Sequence, residues 1–383
     1  MRILYLITRS EHGGAQSHLL HLVRTAARRG PVMVLTGEDG QFSAQTRSEG
    51  IETRVLTHLK HDLHPWHDAA GIIEIGRWIR RFDPDVVHAH SGKAGLLGRF
   101  AAAAQHVPSV YTAHGFAFAA GAPLVRKCAA VAGEWLAGRA GDITIAVSRS
   151  ESDLAMRYHV ARKKRSTVIY NGVEEPSLRA VPQNGPPVIA MVARFDFPKQ
   201  QSLLIRAFSR IAGNARLWLI GDGPELPSAV RMAQRFWVRD RMTFWGDRSD
   251  VTELLSRAQV GALISSQEGF GLSLIEAMSL GLPVIASACG GMREIVRHGQ
   301  TGLLVAPGDE SQLAAALERL VSDPQARKRM GEAGLAHFRA NFTAHAMIER
   351  TFHVYETLLG GMCDAKHSED TTLGGAYAVE SGD

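Results

Sequence analysis

The 383-residue chain has little cysteine and no long uncharged apolar run. Its three cysteines, Cys128, Cys289 and Cys363, are far apart and form neither a C-x-x-C motif nor a disulfide framework, so a reducing cytoplasm is the expected location. The apolar run near the N-terminus, ILYLI, is too short for a signal-peptide core and predicts a first β-strand. No segment reaches the roughly 18–20 uncharged residues that a membrane span needs.

Familiar cofactor and metal motifs are also missing. The glycines that follow the first strand do not have the G-x-G-x-x-G spacing of a dinucleotide site. HSGKAG (90–95) lacks the other residues of a P-loop, and the D-x-D at 83–85 has a central proline that indicates a turn. Four histidines, at 58, 61, 64 and 67, are interrupted by Pro65, which disfavours a metal tract. We therefore expect no metal site and no resident cofactor.

Positive charge is concentrated in the first half of the chain. The formal net charge is +5, but residues 1–180 hold 23 Lys and Arg against 16 Asp and Glu, whereas the remainder holds 20 against 22. A basic first half fits an anionic membrane surface or a phosphorylated acceptor, with Arg162–Arg165, Arg77, Arg80 and Arg81 as candidate contacts. The alternative is a solvated surface with an uneven supply of arginine. We expect no nucleic-acid partner.

Two series of apolar runs, separated by helical patterns, predict two parallel sheets. The predicted strands are 2–7, 31–37, 85–90, 109–114, 142–148 and 166–172, then 188–194, 215–223, 241–247, 260–266, 282–287 and 302–307. Residues 174–187 hold four prolines and indicate a linker. We expect an α/β fold of two Rossmann-like doubly wound domains, 1–173 and 188–341, that face a cleft. The polar, Gly-rich end at 361–383 predicts a disordered tail.

Candidate binding residues follow the strands, because ligands of open α/β sheets bind beyond the carboxyl ends of their strands. Gly13 and Gly14 precede a helix whose first N–H groups could face an anion, although a plain Gly-Gly turn is the alternative. Arg194 and Lys199, in VARFDFPKQQ, offer a guanidinium and an ammonium that suit a diphosphate. Two cations in one loop are also common as surface charge.

The stretch SQEGFGLSLIEAMSLGLPVIAS (266–287) carries two acids among apolar neighbours. It predicts a loop with Glu268 and then a short helix that starts near Leu272, one end of which could hold a phosphate. Glu276, about one turn further on, is suited to a pair of ribose hydroxyls. His114, in YTAHGFAF, lies at a strand end, where a functional and a structural role are both open.

Taken together, these motifs resemble the retaining glycosyltransferases of family 4, which have the GT-B fold and an E-x7-E signature. The signature corresponds to EGFGLSLIEAMSLGLPVIAS, and GGAQ, PDVVHAHS, TAHGFAF, AVSRSE, VIYNGV, VARFDFPKQ, LIGDGPE and GGMREIVRHGQTGLLV are similar to family positions in family order. The resemblance covers about residues 1–359. It is strongest to members that build bacterial exopolysaccharide, capsule or lipid-linked glycans.

The resemblance implies roles around a nucleotide-sugar donor. The Gly14 N–H would contact the donor diphosphate, and Arg194 and Lys199 would neutralise it as it leaves. Glu268 and the backbone from Gly269 through Phe270 and Gly271 to Leu272 would hold hydroxyls of the donor sugar, while Glu276 would hold the ribose.

Further roles follow from the same resemblance. His114 would contact the donor sugar, so that His114, Arg194, Lys199 and Glu268 form the catalytic set. The nucleotide base would lie near Gly221 and the loop 245–250. The C-terminal helix at 342–360 would pack back on the first domain.

The expected reaction is transfer of a hexose with retention of the anomeric configuration and without a metal. The expected donor is a UDP-sugar first and GDP-mannose second, and the expected acceptor is a lipid-linked or polysaccharide-precursor saccharide at the inner face of the plasma membrane. Glu268 could act as a nucleophile or only orient the sugar. The alternatives are a nucleotide-sugar epimerase of the same fold and a non-enzymatic nucleotide-sugar-binding subunit.

Overall fold

The structure, a computed structural model, contains two separate parallel sheets. It describes residues 1–11, 13–62, 64–118, 124–180 and 185–373, and their side chains except those of Arg126 and 362–373. The first sheet ends at Val168 and the second begins at Val188, on either side of the stretch predicted as a linker.

The first sheet has seven strands in the order β3-β2-β1-β4-β5-β6-β7. The strands are β1 (Ile3–Ile7), β2 (Val32–Thr36), β3 (Glu52–Val55), β4 (Val86–His90), β5 (Ser109–Ala113), β6 (Ile143–Ala146) and β7 (Ser166–Val168). Its helices are α1 (Gly14–Arg29), α2 (Gln41–Ser48), α3 (Pro65–Phe82), α4 (Gly92–Ala104), α5 (Leu124–Ala140) and α6 (Arg149–Arg157). The pairings from β3 to β5 are parallel, with Ile3 opposite Val32 on one side and Val86 on the other. Every residue of β1, β4 and β5 is buried, as expected for strands covered on both faces.

The second sheet has six strands in the order β10-β9-β8-β11-β12-β13, all paired in parallel. The strands are β8 (Val188–Val192), β9 (Arg216–Ile220), β10 (Met242–Gly246), β11 (Val260–Leu263), β12 (Val284–Ser287) and β13 (Gly302–Val305). The helices are α7 (Gln201–Ser209), α8 (Leu226–Arg235), α9 (Val251–Ser256), α10 (Leu272–Ser279), α11 (Met292–Ile295), α12 (Glu310–Ser322), α13 (Pro324–Asn341) and α14 (Ala344–Leu373). In both sheets the strand order reverses beside the first strand of the series, which places a switch point at the ends of β1 and β8.

Two elements differ from the sequence prediction. The edge strand β3 was not predicted, because in ETRV only Thr53 is buried and the apolar signal of a strand is weak. Helix α14 runs to Leu373, past residue 360, where the prediction ended it and began a disordered tail. Residues 374–383 of that predicted tail lie outside the described residues.

The chain divides into two compact units, each built from segments that are not consecutive in the sequence. The first unit comprises Met1–Thr112, Leu136–Thr144 and the chain from Ile348 onward, and the second comprises Ala113–Trp135 and Ile145–Met347. Helix α14 therefore contributes to the first unit, where Tyr355 is buried against Tyr5 of β1.

Each unit has its own apolar core. Leu4, Leu35 and Leu97 belong to the core of the first, and Ile189, Phe208 and Ile285 belong to the core of the second. Among the described helices, none is both long and apolar enough to cross a membrane.

Candidate active site

The loop after β8 places Lys199 beside the loop after β11. The carbonyl of Pro198 accepts hydrogen bonds from the Ser265 and Ser266 hydroxyls at 3.0 and 3.2 Å. Gln200 N–H donates to the carbonyl of Ile264 at 2.9 Å, and Lys199 pairs with Ser265 in an isolated β-bridge. Lys199 and Glu268 then form an ion pair in which both side chains are mostly shielded, with 19% and 17% exposure.

Glycines let two further loops approach the backbone of Glu268. A Cβ on Gly290, which has a φ of 48°, would lie 1.8 Å from the Glu268 carbonyl oxygen, and one on Gly269 would lie 2.4 Å from the His114 carbonyl oxygen. Gly291 N–H donates to the Glu268 carbonyl at 3.2 Å. The loops after β5, β11 and β12 are therefore packed backbone to backbone, which brings His114 close to Glu268.

His114 is half-buried at the end of β5. Burial lowers the pKa of its imidazole to about 4, so the ring is neutral at physiological pH. A neutral imidazole can donate from one nitrogen and accept at the other. It can thus hydrogen-bond an uncharged hydroxyl without adding a positive charge to the site.

Glu151 is a second acid close to Glu268, and it was not predicted as a functional residue. It is buried on α6, and its carboxylate accepts a hydrogen bond from Phe116 N–H at 3.2 Å. Burial raises the pKa of Glu151, and the negative charge of Glu268 raises it further. The pattern SRSE (148–151) could have identified it as the third residue of a capped helix, since Ser148 accepts from Glu151 N–H at 3.1 Å.

Cys289 lies on the other side of Glu268 and remains a thiol. Its Sγ contacts the carbonyl oxygen of Ser265 at 3.5 Å. Burial raises its pKa to about 11, and the charge of Glu268 acts in the same direction. Because the thiolate is the nucleophilic form, Cys289 is not a candidate nucleophile.

Helix α10 carries the second acid of the E-x7-E stretch, Glu276, and begins four residues after the first, Glu268. Its N-cap residue, Gly271, is in the left-handed region with a φ of 110°, and Leu272 is the first helical residue. A helix start leaves its first N–H groups without intrahelical acceptors, and these groups favour an anion. Phe270 is buried and stacks on Tyr170, with ring centroids 5.8 Å apart, which fixes the loop before the helix.

Glu276 is placed differently from Glu268. It lies one turn into α10, is half-buried, and its carboxylate makes no hydrogen bond or ion pair with any residue that the structure describes. Desolvation raises its pKa to about 7. A partly dehydrated carboxyl group without a protein partner is suited to a ligand that donates hydrogen bonds.

Arg194 and Gly221 lie at neighbouring strand ends. Arg194 is exposed, with its Nε 3.6 Å from Asp196 Oδ2. Phe195 N–H donates to the Asp222 carbonyl at 2.9 Å, which ties the Arg194 loop to the loop after β9. Gly221 N–H donates to the carbonyl of Gly246 at 2.8 Å. The predicted base-binding loop 245–250 is thus joined to this edge.

That loop contains a bidentate ion pair. Arg248 donates to the two carboxylate oxygens of Asp250 at 2.7 and 2.6 Å, and its guanidinium lies 5.8 Å from the centroid of the Trp245 ring. The charges of Arg248 and Asp250 are therefore paired with each other within the loop 245–250.

Glu294 was likewise not predicted as a functional residue. Its two carboxylate oxygens accept from the N–H groups of Arg149 and Ser150, both at 2.8 Å, at the start of α6. The helix dipole favours an anion at this position. Nothing in its immediate sequence signals the contact, because its partners lie 145 and 144 residues away.

The second unit therefore brings together His114, Lys199, Glu268 and the start of α10, with Glu276 one turn beyond. Arg194 and Gly221 follow adjacent strands of the same sheet. Gly14 is the exposed first residue of α1 and belongs to the first unit, so its contact with a donor remains a prediction.

Both halves of the chain match known families of proteins. Residues 12–175 match the model of the family described as Glycosyltransferase Family 4, and residues 175–337 match that of Glycosyl transferases group 1. The α-maltose-1-phosphate synthase of Mycolicibacterium smegmatis is 31% identical over 311 residues, which cover 70% of this chain and 78% of that protein. The lipopolysaccharide core biosynthesis glycosyltransferase LpsD of Rhizobium meliloti is 32% identical over 169 residues, 44% of this chain and about half, 49%, of that protein.

A solved structure gives the same fold. The crystal structure of Anabaena HepE in complex with UDP-glucose superposes with a TM-score of 0.83 at 24% identity, and the match covers 93% of this chain and 100% of that one. The two parallel Rossmann-like sheets are those of the GT-B fold. The chain belongs to glycosyltransferase family 4.

Proposed function

We propose that the protein transfers a hexose from a nucleoside-diphosphate sugar, a UDP-sugar first and GDP-mannose second, to a hydroxyl group with retention of configuration. The observation that carries the proposal is the Lys199–Glu268 ion pair beside a neutral His114, at the start of a helix. That helix bears Glu276, to which the described part of the chain offers no partner. The UDP-glucose complex of the structurally similar Anabaena protein supports the choice of UDP.

The positive groups stabilise the leaving diphosphate. Breaking the bond between sugar and phosphate leaves a negative diphosphate and an oxocarbenium-like sugar, so preorganised donors near the phosphate lower the barrier. Lys199 is held by its loop, Arg194 is exposed at the same edge, and the start of α10 adds N–H groups. When the donor binds, its phosphate competes with Glu268 for Lys199.

The remaining groups orient the sugar and the ribose. Glu268, once released from Lys199, and the backbone from Gly269 to Leu272 accept and donate hydrogen bonds to sugar hydroxyls. His114 contributes an uncharged donor or acceptor. Glu276 as a carboxylate accepts from the two ribose hydroxyls. The departing phosphate takes the proton of the acceptor hydroxyl, so the reaction needs no general base from this chain and no metal.

The acceptor is proposed to be a lipid-linked saccharide or polysaccharide precursor, reached from an anionic membrane surface. The basic first half of the chain and the similarity to a lipopolysaccharide core glycosyltransferase support this proposal. A cytoplasmic location at the inner face of the plasma membrane follows from it.

A donor panel tests the reaction. The protein is incubated with UDP-sugars and GDP-mannose, with and without a membrane extract, and released nucleotide and labelled lipid are measured. We expect UDP release that depends on acceptor and is unchanged by EDTA, and an α-anomeric product from an α-linked donor. A free epimer without nucleotide release would identify an epimerase, and donor binding without any product would identify a binding subunit.

A further inference from the structure

We propose that the outer face of α5 and the basic segment next to it dock the protein on an anionic lipid bilayer. The α5 face is defined by Leu124, Val125, Cys128, Ala132 and Trp135, and the basic segment by residues 157–165. The inference rests on the proposed function, because a lipid-linked acceptor requires a membrane, and it assigns the surface that contacts that membrane.

The α5 face is an exposed apolar stripe. Residues 124, 128, 132 and 135 are spaced by three or four and therefore share one side of the helix, over about 16 Å. Leu124 is 74% exposed, Val125 82% and Trp135 40%. Single exposed apolar residues are ordinary, but a contiguous stripe on one helix marks an interaction surface.

Tyr158 joins this face to the basic segment. A groove of about 420 Å³ is lined by α5 residues, among them Leu124 and Cys128, and by the Tyr158 ring. The Lys127 Nζ lies 5.1 Å from the centroid of that ring. Lys127 and Tyr158 therefore form a boundary at which the apolar stripe ends and the charged segment begins.

The basic segment has only one sign of charge. Its sequence, RYHVARKKR, holds five Lys and Arg and no acid. Arg162, Lys163, Lys164 and Arg165 are all exposed, the last three in a single 3₁₀ turn. Apolar side chains beside a cationic cluster are the combination by which interfacial helices bind anionic lipids.

The same charge selects the bilayer over a second copy of this chain. In a twofold-symmetric dimer formed through the α5 face, this patch would meet itself, and neither the α5 face nor the basic segment contains an acid. The basic segments would then gain no opposite charge, whereas an anionic lipid surface complements them. The apolar stripe would be buried by a bilayer and by a second copy alike, so the charge of the basic segment is what favours the bilayer.

Vesicle sedimentation tests the proposal on the full chain. We expect binding to vesicles of phosphatidylglycerol and phosphatidylcholine at low salt, and little binding to phosphatidylcholine alone. Leu124→Asp/Val125→Asp and Lys163→Glu/Lys164→Glu should each lower the partition coefficient by about tenfold or more. The matched controls are Trp237→Asp, outside the α5 face at a side chain that is 93% exposed, and Lys328→Glu/Arg329→Glu on α13, which should bind as the wild type does.

Two outcomes would overturn the inference. Equal binding to neutral and anionic vesicles, or equal loss in the controls and in the α5 variants, would exclude a specific anionic docking surface. A concentration-dependent dimer in sedimentation velocity that Leu124→Asp/Val125→Asp abolishes would assign the face to a second copy instead.

The docking proposal and the proposed reaction can be refuted independently. Nucleotide release with a water-soluble acceptor should be unchanged in the α5 and basic-segment variants, because none of their residues lies among the donor-binding groups. Vesicle binding without any nucleotide release would remove the proposed function and leave the surface. Nucleotide release without vesicle binding would refute the docking surface and leave the proposed function.

Discussion

Two polar clusters in this molecule are organised in opposite ways. In the first unit, Tyr5, His88, Thr112 and Tyr355 are all buried. The Tyr355 hydroxyl lies 2.5 Å from His88 Nδ1, and His88 Nε2 lies 2.8 Å from Thr112 Oγ1. Burial raises the pKa of both tyrosines, so their hydroxyls keep their protons. The members of this cluster bond to one another.

The cluster of the second unit is charged and incompletely satisfied. Lys199 and Glu268 are partly exposed, Glu151 has its pKa raised by burial and by Glu268, and Glu276 has no described partner. The two clusters therefore illustrate a structural use and a proposed ligand-binding use of polar groups. The first cluster ties α14 to β1 and β4, whereas the second retains a carboxyl group, Glu276, for which the described residues offer no partner. Variants should therefore lower stability in the first cluster and change activity mainly in the second.

The largest effect is expected at Lys199. Replacement by Ala removes the shielded cation that is proposed to face the leaving diphosphate, and we expect kcat/KM to fall by about 10³-fold. Thermal stability should change little, because only the ion pair to Glu268 is lost. Steady-state nucleotide release measures the activity, with Lys328→Ala on α13 as the control. Near-normal transfer at sub-saturating donor would show that Lys199 does not face the diphosphate.

Glu276→Gln should weaken donor binding next most strongly. Loss of the carboxylate removes the proposed charged acceptor for the ribose hydroxyls. We expect the donor KM to rise by roughly 10–100-fold, since hydrogen bonds to charged groups contribute about 1.5–3 kcal/mol. Calorimetric titration with UDP separates binding from chemistry. Unaltered UDP affinity would exclude the ribose contact.

The same variant should stabilise the free protein at alkaline pH. The folded pKa of Glu276 is raised from 4.5 to about 7, so between these values the unfolded chain loses a proton that the native chain keeps. The free energy of unfolding of the wild type therefore falls as pH rises through this window. We expect Glu276→Gln to gain about 3 kcal/mol over the wild type at pH 8, compared with pH 4, in urea unfolding. A pH-independent difference would refute the raised pKa.

Tyr355→Phe tests the buried cluster of the first unit. The change removes the hydroxyl that bonds to His88 and leaves a buried ring nitrogen without that partner, so we expect a loss of about 1–3 kcal/mol in the free energy of unfolding. Donor affinity should stay within twofold of the wild type. Tyr158→Phe, at a half-buried surface position, is the control. A stable Tyr355→Phe protein with lost donor binding would reverse the roles of the two clusters.

The smallest effect is expected at Glu294. Glu294→Gln keeps one acceptor oxygen and removes the charge at the start of α6, so we expect a loss of about 1 kcal/mol in the free energy of unfolding. Glu318→Gln, an exposed acid on α12, should change it by less than about 0.5 kcal/mol. Equal effects of the two variants in urea unfolding would show that the cap at α6 contributes nothing measurable.

The sequence predicted the parts of this molecule that depend on local pattern. Most strands were found because buried parallel strands are continuous apolar runs, and β3 was missed because its exposed residues break that run. Glu268 and Lys199 were found through the loops that carry them. Glu151 and Glu294 were not, because their hydrogen-bond partners Phe116 and Arg149 lie 35 and 145 residues away. Such contacts become visible only when the loops are folded against one another.

In the proposed donor complex, the raised pKa of Glu276 makes donor binding a proton-releasing event. Near neutral pH a share of the free molecules carries a proton on this carboxyl group, whereas the proposed contact places its ionised form against the ribose hydroxyls. A nucleotide that binds must therefore expel a fraction of a proton into the medium. The heat of binding should then depend on the ionisation enthalpy of the buffer, being more favourable in Tris than in phosphate, and this dependence should vanish in Glu276→Gln.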